Sequence, residues 1–201
     1  MFYVLEGIDG AGCGAQRKNL EKKLREKRIG VETIKYPYYE NPIGKMLREF
    51  QHGEKTLSVE MQFILYAGQM IAEKEKIANL RKNTILICDR YFLGTLVYQG
   101  LRGFSLEDGL DFARMFKLEI PDKIFFLDTP PKVAYERKMN EDGKVKLDIN
   151  ESNYNFIQQV DRKYRELADR QILAHWINIG NTKSIDEVTA KIINWVLKDI
   201  K

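Results

Sequence analysis

The sequence predicts an α/β fold, a parallel sheet with helices on both faces, and three observations carry that reading. Short apolar runs such as Ile85-Leu-Ile-Cys88 and Ile124-Phe-Phe-Leu127 have the length of buried strands and fall far short of a membrane span. Stretches with apolar residues at helical spacing separate those runs. A glycine-rich segment follows the first run directly, where folds of this class turn from strand to helix.

Each element follows in order. Phe2 to Gly7 reads as the first strand, ending at glycine. Gln16 to Arg28 sets Leu20 and Leu24 on one face among charges, an amphipathic helix that Gly30 stops. Val31 to Tyr36 is a second strand. A loop punctuated by Pro37 and Pro42 then leads into a short helix through Leu47. From Ser58 to Leu80, Met61, Ile64, Leu65, Ile71 and Ile77 recur at helical spacing, long enough to cross the domain. Thr84 to Asp89 is the third strand and Lys123 to Asp128 another of the same kind. Ser105-Leu-Glu-Asp108 and Ser184-Ile-Asp-Glu187 resemble capping boxes ahead of helices. Tyr154, Ile157, Val160, Tyr164, Leu167 and Ile172 mark a long helix, and Trp176 to Ile179 a last strand. Strand and helix alternate throughout, as a parallel sheet requires.

A chain of 201 residues with no internal repeat or composition break is expected to be one domain, 1–201. Its 33 Lys and Arg against 29 Asp and Glu leave a net charge of +4, a surface dense in both signs. No aromatic residues interleave with a basic patch, so nucleic acid is not an expected partner. Two cysteines, Cys13 and Cys88, give neither a disulfide framework nor metal-ligand spacing, which suits a reducing, cytoplasmic setting. The N-terminal MFYVLEG lacks the pattern of a signal peptide, and no membrane association is expected.

The chemistry concentrates in two places. In EGIDGAGCGAQ, Gly7-x-x-x-x-Gly12 matches the frame of the phosphate-binding pattern G-x-x-x-x-G-K-[ST]. Glycines at 7, 10, 12 and 14 let backbone N–H groups turn inward around an anion, with the following helix N-terminus assisting. Cys13 stands where the pattern has lysine, and Gly14-Ala15 removes the hydroxyl that commonly helps hold Mg²⁺. A thiol at a helix N-terminus near cations would have a lowered pKa and be reactive, but an inert small residue is the plainer reading of Cys13. The second place is Asp89-Arg-Tyr-Phe-Leu-Gly-Thr-Leu-Val-Tyr-Gln-Gly100. There a carboxylate ending a buried strand can hold Mg²⁺ through water, and the adjacent Arg90 can grip a phosphate with two parallel hydrogen bonds.

Together EGIDGAG, DRYFLGTLVYQG, Leu127-Asp-Thr-Pro-Pro-Lys-Val-Ala-Tyr-Glu-Arg137, Lys146-Leu-Asp-Ile-Asn-Glu151 and Ile179-Gly-Asn-Thr-Lys-Ser-Ile-Asp-Glu-Val188 resemble the thymidylate kinase family, in order and spacing. The resemblance covers nearly the whole chain. It implies a five-stranded P-loop fold that moves the γ-phosphate of ATP to dTMP with Mg²⁺, usually as a homodimer. It places Gly7, Gly10, Ala11, Gly12, Cys13, Gly14, Ala15, Arg137 and Asn181 at the ATP phosphates. It places Asp9, Tyr36, Tyr66, Met70, Arg90, Tyr98 and Gln99 at dTMP. Asp9 is implied near the sugar hydroxyl, Arg90 on the monophosphate, and Asp89 at the metal through water. Tyr66 falls where an aromatic ring stacks on thymine, and Tyr98 where it favours deoxyribose over ribose. Arg137 opens a lid, around 137–150, whose Lys138, Lys144 and Lys146 are candidates for the charge that Cys13 lacks. The catalytic set implied is Asp9, Asp89, Arg90 and Arg137.

The chain departs from the family at further points. The arginine that reads the thymine carbonyl falls at Met70, and one that contacts the monophosphate falls at Tyr39. Gln69 or Gln99 is a candidate replacement for the first. The missing lysine implies a depressed kcat with a milder loss of nucleotide affinity. A nucleotide-binding relative without catalysis, in a regulatory or partner role, is the alternative.

Overall fold

The computed structural model describes residues 1–140 and 153–200. Five strands, β1 (Phe2–Glu6), β2 (Val31–Lys35), β3 (Ile85–Asp89), β4 (Lys123–Asp128) and β5 (His175–Gly180), form one sheet in the order β2-β3-β1-β4-β5. Every pairing is parallel. The three inner strands are buried almost throughout, whereas the edge strands β2 and β5 alternate between buried and exposed positions. Burial on both faces explains why the inner strands read as unbroken apolar runs.

Among the described residues eight helices cover the sheet: α1 (Cys13–Glu26), α2 (Pro42–Gln51), α3 (Val59–Asn83), α4 (Phe92–Gly100), α5 (Leu106–Met115), α6 (Pro131–Met139), α7 (Tyr154–Asp169) and α8 (Ile185–Ile200). Both expected capping boxes involve the predicted serine. Ser105 accepts from the Asp108 amide at 3.3 Å, and Ser184 and Glu187 cap each other reciprocally. Two helices were not legible as elements. In α4, Phe92, Leu93, Leu96 and Val97 are all buried together with Thr95 and Gln99, so no polar stripe marks a face. The short α6 opens on Pro131, whose missing N–H is harmless in the first turn. Boundaries also move. The first helix begins at Cys13, not Gln16, because Gly12 takes the cap position with φ 87°. The second continues past Leu47 to Gln51, and α7 stops at Asp169, short of Ile172.

The chain builds β2 and β3 on one side of β1, then β4 and β5 on the other. That reversal opens a crevice beyond the carboxyl ends of the strands, where ligands bind in open α/β sheets. The loop after β1 and the ends of β2 and β3 all meet there.

Candidate active site

The crevice holds a cavity of about 550 Å³. Gly10, Gly12, Cys13, Gly14 and Ala15 form its floor. Gly10 and Gly12 both adopt left-handed φ, 85° and 87°, which turns the loop onto the start of α1. First-turn amides have no intrahelical partner, so the N–H groups of residues 13–15 are available to an anion. Gly7 and Ala11 do not line the cavity; a Cβ at Gly7 would lie 2.9 Å from that of Ala11 and 3.1 Å from the Leu127 carbonyl oxygen. They shape the turn from beneath.

Three residues expected at the monophosphate converge on one point. Asp9 Oδ1 accepts from Arg90 Nη2 at 3.0 Å, while Asp9 Oδ2 accepts from the Tyr98 hydroxyl at 2.7 Å. Arg90 has φ 68° and turns its guanidinium back over the loop, where it also reaches the Ile8 carbonyl at 3.2 Å. Behind it lies Glu6, fully buried at the end of β1. Glu6 accepts from the Tyr91 amide at 3.0 Å, the Gly94 amide at 3.3 Å and the Tyr164 hydroxyl at 2.8 Å, and stands 3.7 Å from Arg90 Nη1. Burial pushes the Glu6 carboxyl up to about 7, against the pull of Arg90 and its hydrogen-bond donors.

Asp89 ends β3 on the cavity wall, and burial raises its pKa; Arg90, Lys35 and Arg17 oppose that shift. A Cβ on Gly14 would sit 3.3 Å from Asp89 Oδ2, so the side chain absent at 14 would have faced this carboxylate. Arg17 approaches the same oxygen, with Nε at 3.8 Å, and donates from Nη1 to the Thr33 hydroxyl at 2.9 Å.

The same cavity also has an aromatic lining. Tyr66, Met70, Tyr36, Tyr39 and Gln51 line it with Gln99. Gln51 links two of the rings, donating to the Tyr66 hydroxyl at 2.9 Å and accepting from that of Tyr39 at 2.6 Å. The Tyr36 hydroxyl donates to Glu73 at 2.8 Å. Of the two candidate glutamines, Gln69 is committed to the loop: its amide exchanges hydrogen bonds with the Tyr38 backbone at 3.0 and 2.5 Å. Among the described residues Gln99 Oε1 is buried without a partner, while its Nε2 donates to Gln62 at 3.4 Å. A buried acceptor left open in a cavity calls for a ligand donor.

The reactive alternative for Cys13 fails, and the inert reading agrees with the structure. Cys13 is only 4% exposed, and burial pushes its thiol up to about 12, the reverse of an activated thiolate. The helix terminus and Arg90 cannot offset removal from water, with Asp89, Glu6 and Asp9 also nearby. Asn181 does not line the cavity either: its amide donates to the Ala11 carbonyl and, at 2.9 Å, to Thr129, bracing the loop from below. Arg137 lines the cavity and donates to the Asn181 carbonyl at 3.3 Å. Lys138 lines it too, while Lys144, Lys146 and the lid from 141 onward lie outside the described residues.

The thymidylate kinase family model matches residues 5–192. The chain belongs to the thymidylate kinase family. It is 31% identical over 201 residues to a probable thymidylate kinase of Methanocaldococcus jannaschii, covering 100% of this chain and 97% of that protein. A probable thymidylate kinase of Thermococcus kodakarensis is 34% identical over 177 residues, 83% of this chain and 81% of the relative. The thymidylate kinase of Plasmodium falciparum is 25% identical, covering 98% and 90%. Among the described residues no helix is long and apolar enough to cross a membrane.

Within this thymidylate kinase frame, several site residues escape sequence reasoning. Glu6 had a signal, a carboxylate closing an otherwise apolar strand, Phe2-Tyr-Val-Leu-Glu6. Tyr164 had none, since it sits at a core position of α7 and only its hydroxyl reaches Glu6. Gln51 lies at the end of a helix read as stopping earlier.

Proposed function

We propose that this thymidylate kinase family member transfers the γ-phosphate of ATP to dTMP, giving dTDP and ADP. The observation that carries the reading is the Asp9–Arg90–Tyr98 cluster, joined at 3.0 and 2.7 Å on the rim of the phosphate loop. A monophosphate reaching Arg90 there would present an oxygen to a γ-phosphate cradled by the loop amides. That oxygen attacks phosphorus, the bond to the β-phosphate oxygen breaks, and ADP leaves. No strong base is needed, so catalysis consists of positioning and charge neutralisation. Glu6 and Tyr164 fix Arg90 so that little ordering remains when substrate arrives.

Among the described residues no group of three His, Cys, Asp or Glu gathers for a metal. With Asp9 tied to Arg90 and Tyr98, Asp89 on the cavity wall fits a Mg²⁺ held chiefly by phosphates and water. When bound, Mg²⁺ would supply charge neutralisation at the donor phosphates, and Asp89 would help to hold it. Tyr66 and Tyr36 suit a flat base, and the open Gln99 Oε1 suits an N–H donor on its edge. Tyr98, tied to Asp9, suits a deoxyribose without a 2′-hydroxyl. A cytoplasmic homodimer is part of the same reading, and sedimentation tests its dimeric part.

The test is ADP release with dTMP, dUMP, dCMP, dGMP and UMP as acceptors. The reading expects dTMP to give the highest kcat/KM and UMP a far lower one. A second reading, nucleotide binding without transfer, is favoured by the uncharged Cys13. Binding by calorimetry with no transfer to any acceptor selects it.

A further inference from the structure

We infer that Lys35 supplies the phosphoryl group in transit with part of the positive charge that the lysine missing at position 13 would have given. This rests on the kinase reading above and concerns a residue to which neither the motifs nor the comparisons assign a role.

The argument begins with register. Lys35 is the last residue of β2 and pairs with Asp89 of β3, which pairs in turn with Leu5 of β1. Adjacent strands lie about 4.8 Å apart, so the Lys35 backbone stands about 10 Å from the start of the phosphate loop. A flexible four-carbon stem spans most of that gap. Lys35 is exposed and lines the same cavity as Cys13, Gly14 and Asp89.

Commitment of the other cations then singles it out: Arg102 donates to the Tyr98 carbonyl, and Lys138 on the cavity wall is also engaged. Arg90 is held by Asp9, Glu6 and the Ile8 carbonyl. Arg17 is bound to Thr33, approaches Asp89, and does not line the cavity. Arg137 donates to the Asn181 carbonyl. Among the described residues the Lys35 ammonium makes no hydrogen bond or ion pair within 4 Å, although its field is felt at Asp89. An ammonium with no protein partner at the mouth of a phosphate cradle is available to an anionic ligand.

Position assigns its target. Lys35 approaches from the β2–β3 side, the side of Asp89 and Tyr36, whereas a loop lysine would rise from α1. It therefore meets the phosphoryl group between the γ-phosphate and the attacking monophosphate. There charge spreads over the equatorial oxygens as the bond to ADP breaks and the bond to dTMP forms. Lys35 acts there as a cation and hydrogen-bond donor, and no proton is transferred in the step. Cys13, neutral and buried, contributes volume only.

The experiment compares wild type, Lys35→Gln, Lys35→Arg, Cys13→Lys and the double variant Cys13→Lys/Lys35→Gln. Lys35→Gln is expected to lower kcat about 100-fold with KM values changed only a few-fold, and Lys35→Arg to keep most of the rate. A lysine at 13 should raise the rate of Lys35→Gln at least about tenfold more than it raises wild type, because the two cations serve one group. By calorimetry, Lys35→Gln should weaken ATP about fivefold while leaving ADP unchanged. Turnover of Lys35→Gln within about threefold of wild type overturns the assignment. So do equal losses for ATP and ADP, a result readable even if wild type transfers nothing and the kinase reading itself fails.

Discussion

Replacing Gly10 by Ala, with Gly12→Ala as its control, probes how the phosphate loop is joined to the arginine-bearing helix. Both glycines have φ near +85°, where an L side chain is strained by about 1–2 kcal/mol. Their surroundings differ. A Cβ at Gly12 meets nothing within 4 Å, whereas one at Gly10 would lie 2.1 Å from the Ala134 carbonyl oxygen and 2.8 Å from its carbon. Those are backbone atoms of α6, so the clash is relieved only by moving the loop or the helix that carries Arg137. Overpacking of this kind costs a further ~1–3 kcal/mol. We therefore expect Gly12→Ala to lose about 1–2 kcal/mol in urea unfolding and Gly10→Ala about 2–5 kcal/mol. ATP titration calorimetry should show Gly12→Ala within a few-fold of wild type and Gly10→Ala weakened at least about tenfold, because its loop amides are displaced. Equal stability and equal ATP affinity for the two variants would refute the argument that the loop rests on α6.

Glu6 makes stability pH-dependent in an unusual direction. Its carboxyl rises from an ordinary 4.5 to about 7, so the folded protein binds the proton more tightly, and stability present below 4.5 is lost as pH rises towards about 7. The change is about 3 kcal/mol, and Glu6→Gln should flatten that part of the profile; an unchanged slope in the variant would contradict it. Tyr98→Phe removes the hydrogen bond to Asp9 and should cost about 1–2 kcal/mol in kcat/KM for dTMP, roughly tenfold, measured by ADP release. An unaltered value would mean the Tyr98 hydroxyl does not order the site. Cys13 and Cys88 are both buried and unpaired, so a thiol reagent at neutral pH should label neither until the protein is denatured. Prompt labelling of native Cys13 would reverse the conclusion that it is inert.

The fold was legible where one face or both faces of an element are buried in a regular pattern. β1, β3 and β4 announced themselves as apolar runs, and α1, α3 and α7 as stripes. The helix α4 did not, because its surface is covered on nearly all sides and the 3.6-residue signal vanishes. The glycine-rich loop was legible as spacing, since glycine positions encode backbone turns. Electrostatic burial was not. Position at a helix start suggested a reactive Cys13, but the sign depended on a third dimension, the depth at which Glu6, Asp9 and Asp89 crowd around it. Lys35 was silent for the same reason. Only the β2-β3-β1 order brings it beside the loop, and strand order is set by contacts between residues more than 50 positions apart along the chain, such as Lys35 and Asp89.

The most direct measurement is a single-turnover experiment with protein in excess over γ-labelled ATP, with saturating dTMP. The account predicts label in dTDP, accumulating in one exponential phase and abolished by Arg90→Gln. ATP bound under the same conditions with no label reaching dTDP would contradict it and leave a nucleotide-binding protein on a kinase frame.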